Sequence, residues 1–159
     1  MTDSAPDSPG VPFPPPLVFM AALALGFLAH RFAPVGIGPT SARPVVTVAG
    51  WLLVVAWATI LLPAFIKFRR AHTSILPSQP ATTIVESGPY RWSRNPMYVA
   101  MTLLSAGVAL VFNALWPLLF VPLAVVVTDR YTIAREERYL ERAFGEAYRD
   151  YKRRVRRWL

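Results

Sequence analysis

Cysteine is absent from the 159-residue chain, and histidine occurs only twice. Without cysteine there can be no disulfide bond, thiolate nucleophile or thiolate metal ligand. The two histidines, His30 and His72, stand alone and lack the paired spacing of a zinc-binding helix, so we predict no metal site. Ser87 and Ser93 have no suitable histidine and acid nearby in the sequence, which argues against a serine nucleophile.

Acidic residues are also scarce. Nine Asp and Glu stand against seventeen Lys and Arg, which gives a formal net charge of +8. Such an excess is typical of nucleic-acid-binding proteins, but here the cations cluster at the ends of apolar segments. That placement favours lipid headgroups over RNA or DNA as partners. Gly36-Ile37-Gly38 is not a G-x-G-x-x-G dinucleotide-binding fingerprint after a strand, and the sequence contains no P-loop.

Hydrophobic residues make up 54% of the chain, too many for an ordinary soluble protein. The proline-rich residues 1–16 are predicted to form a disordered or polyproline-like arm. Residues 17–159 are predicted to form a single membrane domain. Its clearest span is 45–66, which is 22 residues long and contains no charge. A first span is predicted over about 17–33.

Residues 97–128 are 32 consecutive positions without a charge. As one helix this run would be about 48 Å long, against a hydrocarbon core of about 30 Å. Asn113 and the prolines that follow predict a turn inside it, and therefore a hairpin of two short spans, about 97–112 and 114–128. Five basic residues lie shortly before the run and ten follow it, so the hairpin places these fifteen on one membrane face. By the positive-inside tendency that face is cytoplasmic.

The tail, residues 129–159, predicts an amphipathic helix that lies on the membrane or caps the helix bundle. Apolar residues recur in it at spacings of three and four: Leu140, Phe144, Ala147, Tyr148, Tyr151, Val155 and Trp158. The predicted fold class is an all-α integral membrane protein with about four transmembrane helices, the last two a short hairpin, and a C-terminal amphipathic helix. We place it in a bacterial inner membrane with its C terminus in the cytoplasm. The oligomeric state stays open.

The first polar concentration precedes the hairpin. Asn95 is a favourable N-cap and Pro96 a favourable first helical residue, so a helix is predicted to begin here. Arg91 and Arg94 have two interpretations. They are either interfacial anchors or donors for an anion such as a carboxylate or phosphate, which the start of a helix also attracts.

The second polar concentration follows the hairpin, at Arg135-Glu136-Glu137. It is either a solvated helical turn or the other half of a site, because the hairpin returns it to the membrane face that carries Arg94. Together the two concentrations predict a cytoplasm-facing polar site beside an apolar bundle. Such a site suits an amphiphilic substrate and a charged cofactor.

The residues at these positions resemble the isoprenylcysteine carboxyl methyltransferase family in its short bacterial form, to which phospholipid N-methyltransferases are related. The resemblance covers 82–159, about half of the chain. It rests on SGPYRWSRNPMY at 87–98, on Asn113 and on REERYLERAFGEAYRDYKRRV at 135–155. Two positions depart from the best-studied eukaryotic members: Asn95 replaces a histidine and Ala100 a glycine.

The resemblance implies an integral membrane enzyme that uses S-adenosylmethionine to methylate a lipid-like or prenylated substrate, by carboxyl O-methylation. It implies Arg94, Glu136 and Glu137 as catalytic residues. Arg94 would hold a carboxylate, and one of the two glutamates would accept from ribose hydroxyls or the cofactor ammonium. Tyrosine rings would contact the adenine or the sulfonium. The cofactor-binding residues so implied are Gly88, Pro89, Tyr90, Arg94, Asn95, Pro96, Tyr98, Glu136 and Glu137.

Three alternatives remain open at the level of sequence. The first is a phospholipid N-methyltransferase on the same scaffold. The second is a non-catalytic membrane protein whose basic tail binds lipid or a partner. The third is a relative that uses the fold for another cofactor, such as a nicotinamide nucleotide.

Overall fold

The computed structural model describes residues 9–11, 14–71 and 81–159. Every regular element in these residues is a helix, which confirms the predicted all-α class. Most of the predicted N-terminal arm lies outside the described residues, as does His72. The first helix begins at Pro15, within the predicted arm, because proline is tolerated in the first turn of a helix, where its missing N–H has no intrahelical partner.

Six α-helices lie in the described residues, together with 3₁₀ turns at Thr40–Ala42 and Gly88–Arg91. A π-helical turn, Thr128–Ile133, joins the fourth helix to the fifth. The chain is therefore helical from Leu115 to Phe144, past the predicted boundary at residue 128. The six are α1 Pro15–Phe32, α2 Arg43–Arg70, α3 Pro96–Val111, α4 Leu115–Val127, α5 Ala134–Phe144 and α6 Glu146–Arg154.

Within residues 9–11, 14–71 and 81–159, three helical stretches are long and apolar enough to cross a membrane: Pro15–Phe32, Thr40–Arg70 and Leu115–Phe144. Helix α3 is also apolar but has 16 residues, about 24 Å of helix. Many large apolar side chains of α1 and α2 are exposed, as expected where lipid rather than water surrounds a helix. These features fit an integral membrane protein.

The described chain divides into two compact units. The apolar unit comprises Pro15–Thr59 and Tyr98–Thr128. The polar unit comprises Ile60–Met97, Asp129–Leu159 and the described residues before Pro15.

In the apolar unit α1 packs along α4, with a core formed by Phe19, Ala22 and Ala124. Gly26 permits a close approach, because a Cβ atom at this position would lie 2.3 Å from Pro117 Cα. A side chain at residue 26 would therefore separate the two helices.

The predicted hairpin turn is present within the apolar unit. Asn113, between α3 and α4, adopts φ 48°, the left-handed conformation that asparagine tolerates better than most residues. Its Oδ1 accepts a hydrogen bond of 3.1 Å from Ile37 N, and Leu115 N donates to Val35 O over 3.0 Å. The turn and the α1–α2 loop therefore each satisfy one backbone N–H group of the other.

The predicted amphipathic tail helix is divided into α5 and α6. Gly145 lies between them with φ 56° and ψ −124°, a conformation open to glycine because it lacks a Cβ atom. Because the helix is interrupted here, the apolar stripe does not continue along one helix face. Tyr148 and Tyr151 are each 3% exposed and belong to the core of the polar unit, not to a lipid-facing surface.

Candidate functional site

Glu137 on α5 is the centre of the most buried group of charges in the polar unit. Its Oε1 lies 2.9 Å from Arg94 Nη2, and its Oε2 lies 2.5 Å from Arg157 Nη2. The side chains of Arg94 and Glu137 are only 8% and 6% exposed. The structure therefore joins two residues predicted from distant parts of the sequence and adds a third, Arg157.

Asp129 completes the group, which we call the ion cluster: Arg94, Asp129, Glu137 and Arg157. Arg157 Nη1 lies 3.3 Å from Asp129 Oδ1, and Trp158 Nε1 donates to the same oxygen over 2.9 Å. Hydrogen bonding to Glu137 raises the pKa of Arg157 above its usual value. Two cations thus face two anions, the compensation that buried charges require.

The loop before α3 is fastened to the segment Val155–Leu159, which we call the C-terminal segment. Arg94 N donates to Arg156 O over 2.9 Å, and Asn95 Nδ2 donates to Arg157 O over 2.8 Å. Helix α3 begins at Pro96, as predicted, and Pro96 is buried. The amide of Asn95 therefore has a specific role in this chain, to hold the segment that carries Arg157.

The ion cluster provides a partner for only part of the guanidinium group of Arg94. Its Nη2 pairs with Glu137, but its Nε and Nη1 are buried and have no hydrogen-bond partner among the described residues. Buried guanidinium N–H groups are costly to leave unpaired. Nε and Nη1 are therefore available to an acceptor outside the described residues, and an anion would satisfy them best.

The turn Gly88–Arg91 is held in place by packing and by a hydrogen bond to its backbone. Gly88 has φ 65°, and the Tyr90 ring, 5% exposed, lies 5.3 Å from the Phe68 ring between centroids. Tyr151 Oη donates to Tyr90 O over 2.8 Å. Burial raises the pKa values of both phenols, so Tyr151 keeps the proton that it donates. The turn is thereby held against α6.

Tyr148, which sequence analysis assigned to the apolar stripe of the tail, lies near the same charges. Burial raises the pKa of its phenol, and the negative charge of Glu137 raises it further, while Arg94 lowers it. Glu136 is half-buried and also acts to raise this pKa. A neutral phenol beside Arg94 and the two glutamates adds a hydrogen-bonding group to the site.

The structure thus collects in the polar unit eight of the nine predicted cofactor-binding residues. Tyr98, the ninth, belongs to the apolar unit, where it is 9% exposed. Sequence reasoning missed Asp129, Tyr148, Arg157 and Trp158. One signal was available for Asp129: it is the acid that ends the long uncharged run, and an acid at the edge of a membrane span requires a partner.

Comparison with known proteins gives two findings. Residues 45–147, more than half of the chain, match a family model described as phospholipid methyltransferase. An uncharacterised protein of Haemophilus influenzae (strain ATCC 51907 / DSM 11121 / KW20 / Rd) is 57% identical over 35 residues, which are 22% of this chain and 56% of that protein. The alignment thus spans just over half the length of this curated relative.

Proposed function

We propose, on the premise that this chain belongs to the phospholipid methyltransferase family, that it binds S-adenosylmethionine beside the ion cluster and methylates a lipid-like acceptor. Membership supports a membrane methyltransferase, and the family generally uses this cofactor. The isoprenylcysteine carboxyl methyltransferase resemblance of the second half of the chain is the finer assignment, and it remains part of the proposal.

The observation that carries the proposal is the pair of unsatisfied donors on Arg94. Nε and Nη1 are buried beside Glu137 and have no partner among the described residues. The methionine carboxylate of the cofactor, or the carboxylate of an acceptor, is an anion of the planar shape that a guanidinium binds best. The residues present therefore fit the cofactor.

Each residue of the site has a role that follows from its contacts. Arg94 would bind the anion, Glu137 holds Arg94 in place, and Arg157 holds Glu137. Tyr148 has a buried ring near Glu137 and Arg94 and so would help to exclude water. When bound, S-adenosylmethionine supplies a methyl group on a positively charged sulfur, which a carboxylate can accept without first losing a proton.

Carboxyl methylation is the reaction that this arrangement serves most directly. Glu137 and Asp129 are both engaged by cations, so neither is a free general base. A carboxylate acceptor needs no base, and positioning with exclusion of water provides most of the acceleration. Phospholipid N-methylation is the second candidate, favoured by the description of the matched family; its ammonium acceptor must first lose a proton.

Arg94→Lys is expected to weaken binding of S-adenosylhomocysteine by about tenfold to a hundredfold, the range expected for lost hydrogen bonds to a charged group. Lysine keeps the positive charge facing Glu137 but lacks the planar Nε and Nη1 donors. Calorimetric titration of the detergent-purified protein measures the affinity.

Arg153→Lys is the matched control, because Arg153 is 64% exposed and pairs with Glu146 on α6. The affinity of Arg153→Lys for S-adenosylhomocysteine should equal that of the wild type. Equal affinities in wild type and Arg94→Lys would show that Arg94 does not bind the ligand. A folded wild-type protein that binds no S-adenosylhomocysteine would contradict the methyltransferase proposal itself.

The acceptor is tested with radiolabelled S-adenosylmethionine and two separate substrates, a prenylcysteine analogue and phosphatidylethanolamine. Label that appears in the prenylcysteine product and is released by base marks a methyl ester. Base-stable label in phosphatidylethanolamine would instead establish amine methylation and overturn the carboxyl assignment.

A further inference from the structure

A groove of about 690 Å³ opens in the polar unit outside the ion cluster. It lies between the end of α2, the stretch 83–87 and the turn Gly88–Arg91, and none of its lining residues belongs to the ion cluster. We call it the basic groove. It is lined by Lys67, Arg70, Ala71, Thr83, Ile84, Val85, Glu86, Ser87 and Arg91.

The charges of the basic groove are unbalanced. Lys67, Arg70 and Arg91 line it, and in the part of the chain that the structure describes no ion pair involves any of them. The single acid in the lining, Glu86, is already engaged, because its Oε2 lies 2.8 Å from Arg154 Nη2 on α6. Residues 72–80, which follow Ala71 in the sequence, contain no Asp or Glu. The groove therefore attracts an anion.

The position of the cations along the chain indicates the level of the groove relative to the membrane. Lys67 is the first charge after the 23 uncharged residues 44–66 of α2, and a helix of that length spans the hydrocarbon core. The end of such a helix lies at the level of the lipid phosphates. Basic residues here often serve as membrane anchors alone, but anchors on one helix do not require a concave site.

Two features distinguish the groove from simple anchoring. Its cations converge from separate elements, Lys67 and Arg70 from α2 and Arg91 from the 3₁₀ turn. Its wall also contains apolar side chains, Ile84 and Val85, which suit the glycerol and upper acyl carbons of a lipid more than a bare ion.

We propose that the basic groove binds a phosphate group, carried by an anionic lipid headgroup or by a soluble phosphate, at a site separate from the one assigned to methyl transfer. Lys67, Arg70 and Arg91 supply the charge, and Arg154 keeps Glu86 from opposing it. The groove does not depend on which acceptor is methylated.

The test uses the full chain, purified in a neutral detergent, with two probes. Native mass spectrometry measures the binding of phosphatidylglycerol against phosphatidylcholine, and calorimetry measures the binding of inorganic phosphate. Arg70→Gln and Arg91→Gln should each weaken binding about fivefold, the factor expected for one cation near a phosphate surface. Binding of phosphatidylglycerol that inorganic phosphate does not displace identifies a headgroup site, and displacement identifies a site for soluble phosphate.

Arg69→Gln is the matched control. Arg69 neighbours Arg70 on α2 but lies outside the groove lining, with its guanidinium 5.9 Å from the centre of the Phe65 ring. It should retain wild-type binding of the phosphate probe. Equal losses in Arg69→Gln and Arg70→Gln would reduce the effect to general surface charge, and a wild type that binds neither probe would overturn the proposal.

S-adenosylhomocysteine binding, measured in parallel, separates this proposal from the methyltransferase assignment. Arg70→Gln should leave that affinity unchanged while phosphate binding falls. A wild type that binds phosphatidylglycerol but no S-adenosylhomocysteine would support the phosphate site and contradict the proposed methyltransferase activity. A wild type that binds S-adenosylhomocysteine but neither phosphate probe would contradict the phosphate site and leave the methyltransferase proposal standing.

Discussion

Replacing Glu137 by glutamine is expected to lower the free energy of unfolding by about 3–5 kcal/mol, the usual cost of breaking a buried ion pair by removing one partner. Glutamine has nearly the same shape but no charge, so Arg94 and Arg157 would both lose their ionic partner at an almost inaccessible position. Lys152, 3.9 Å from the same carboxylate, would add to the uncompensated positive charge. Denaturation in a single detergent, followed by circular dichroism, measures the change.

Glu141→Gln on the same helix is the control. Glu141 is 33% exposed and pairs with Lys152 at the surface, where such pairs contribute about 0–1 kcal/mol. Similar losses of stability in the two variants would show that the ion cluster is no more important to the fold than a surface pair.

Arg157→Ala is expected to weaken S-adenosylhomocysteine binding about tenfold to a hundredfold, the range for lost charged hydrogen bonds. In the proposed site Arg157 acts as a positioning residue through Glu137 and Asp129, because its guanidinium donates to both acids. Without it, Glu137 is free to turn away and no longer fixes Arg94. Arg157→Lys should restore part of the affinity, since a lysine can still pair with one of the acids.

Arg156→Ala is the control for this prediction. Arg156 precedes Arg157 in the C-terminal segment, its side chain is exposed, and the contact it makes with Arg94 uses its backbone oxygen, which alanine keeps. If Arg156→Ala and Arg157→Ala lower the affinity equally, the C-terminal segment acts through its backbone alone and the proposed role of the guanidinium is wrong.

The apolar helices could be predicted from sequence because the signal is local. A run of 22 uncharged residues can be recognised from its own composition, and the predicted span 45–66 lies inside α2, Arg43–Arg70. Asn113 was predictable for the same reason, since few residues tolerate the left-handed conformation that a tight turn needs.

The interior of the candidate site was less predictable because its contacts join distant residues. Arg157 reads in sequence as one more basic residue of a membrane-binding tail, and nothing nearby in the chain identifies Asp129 and Glu137 as its partners. The break at Gly145 decides this arrangement, since a continuous helix would have kept the apolar stripe on one face. An isolated glycine in an otherwise helical pattern is a weak signal.

The hydrogen bond from Asn95 to the carbonyl of Arg157 joins residues 62 positions apart and so has a consequence for biosynthesis. A chain inserted during translation forms its local helices first, whereas contacts of high sequence separation wait until the later residue has been made. Glu137 and Arg157 both follow the hairpin in the sequence, so Arg94 has neither beside it until the hairpin has been made. The ion cluster is complete only after Arg157 has been synthesised, and we therefore expect the proposed ligand site to form late in assembly.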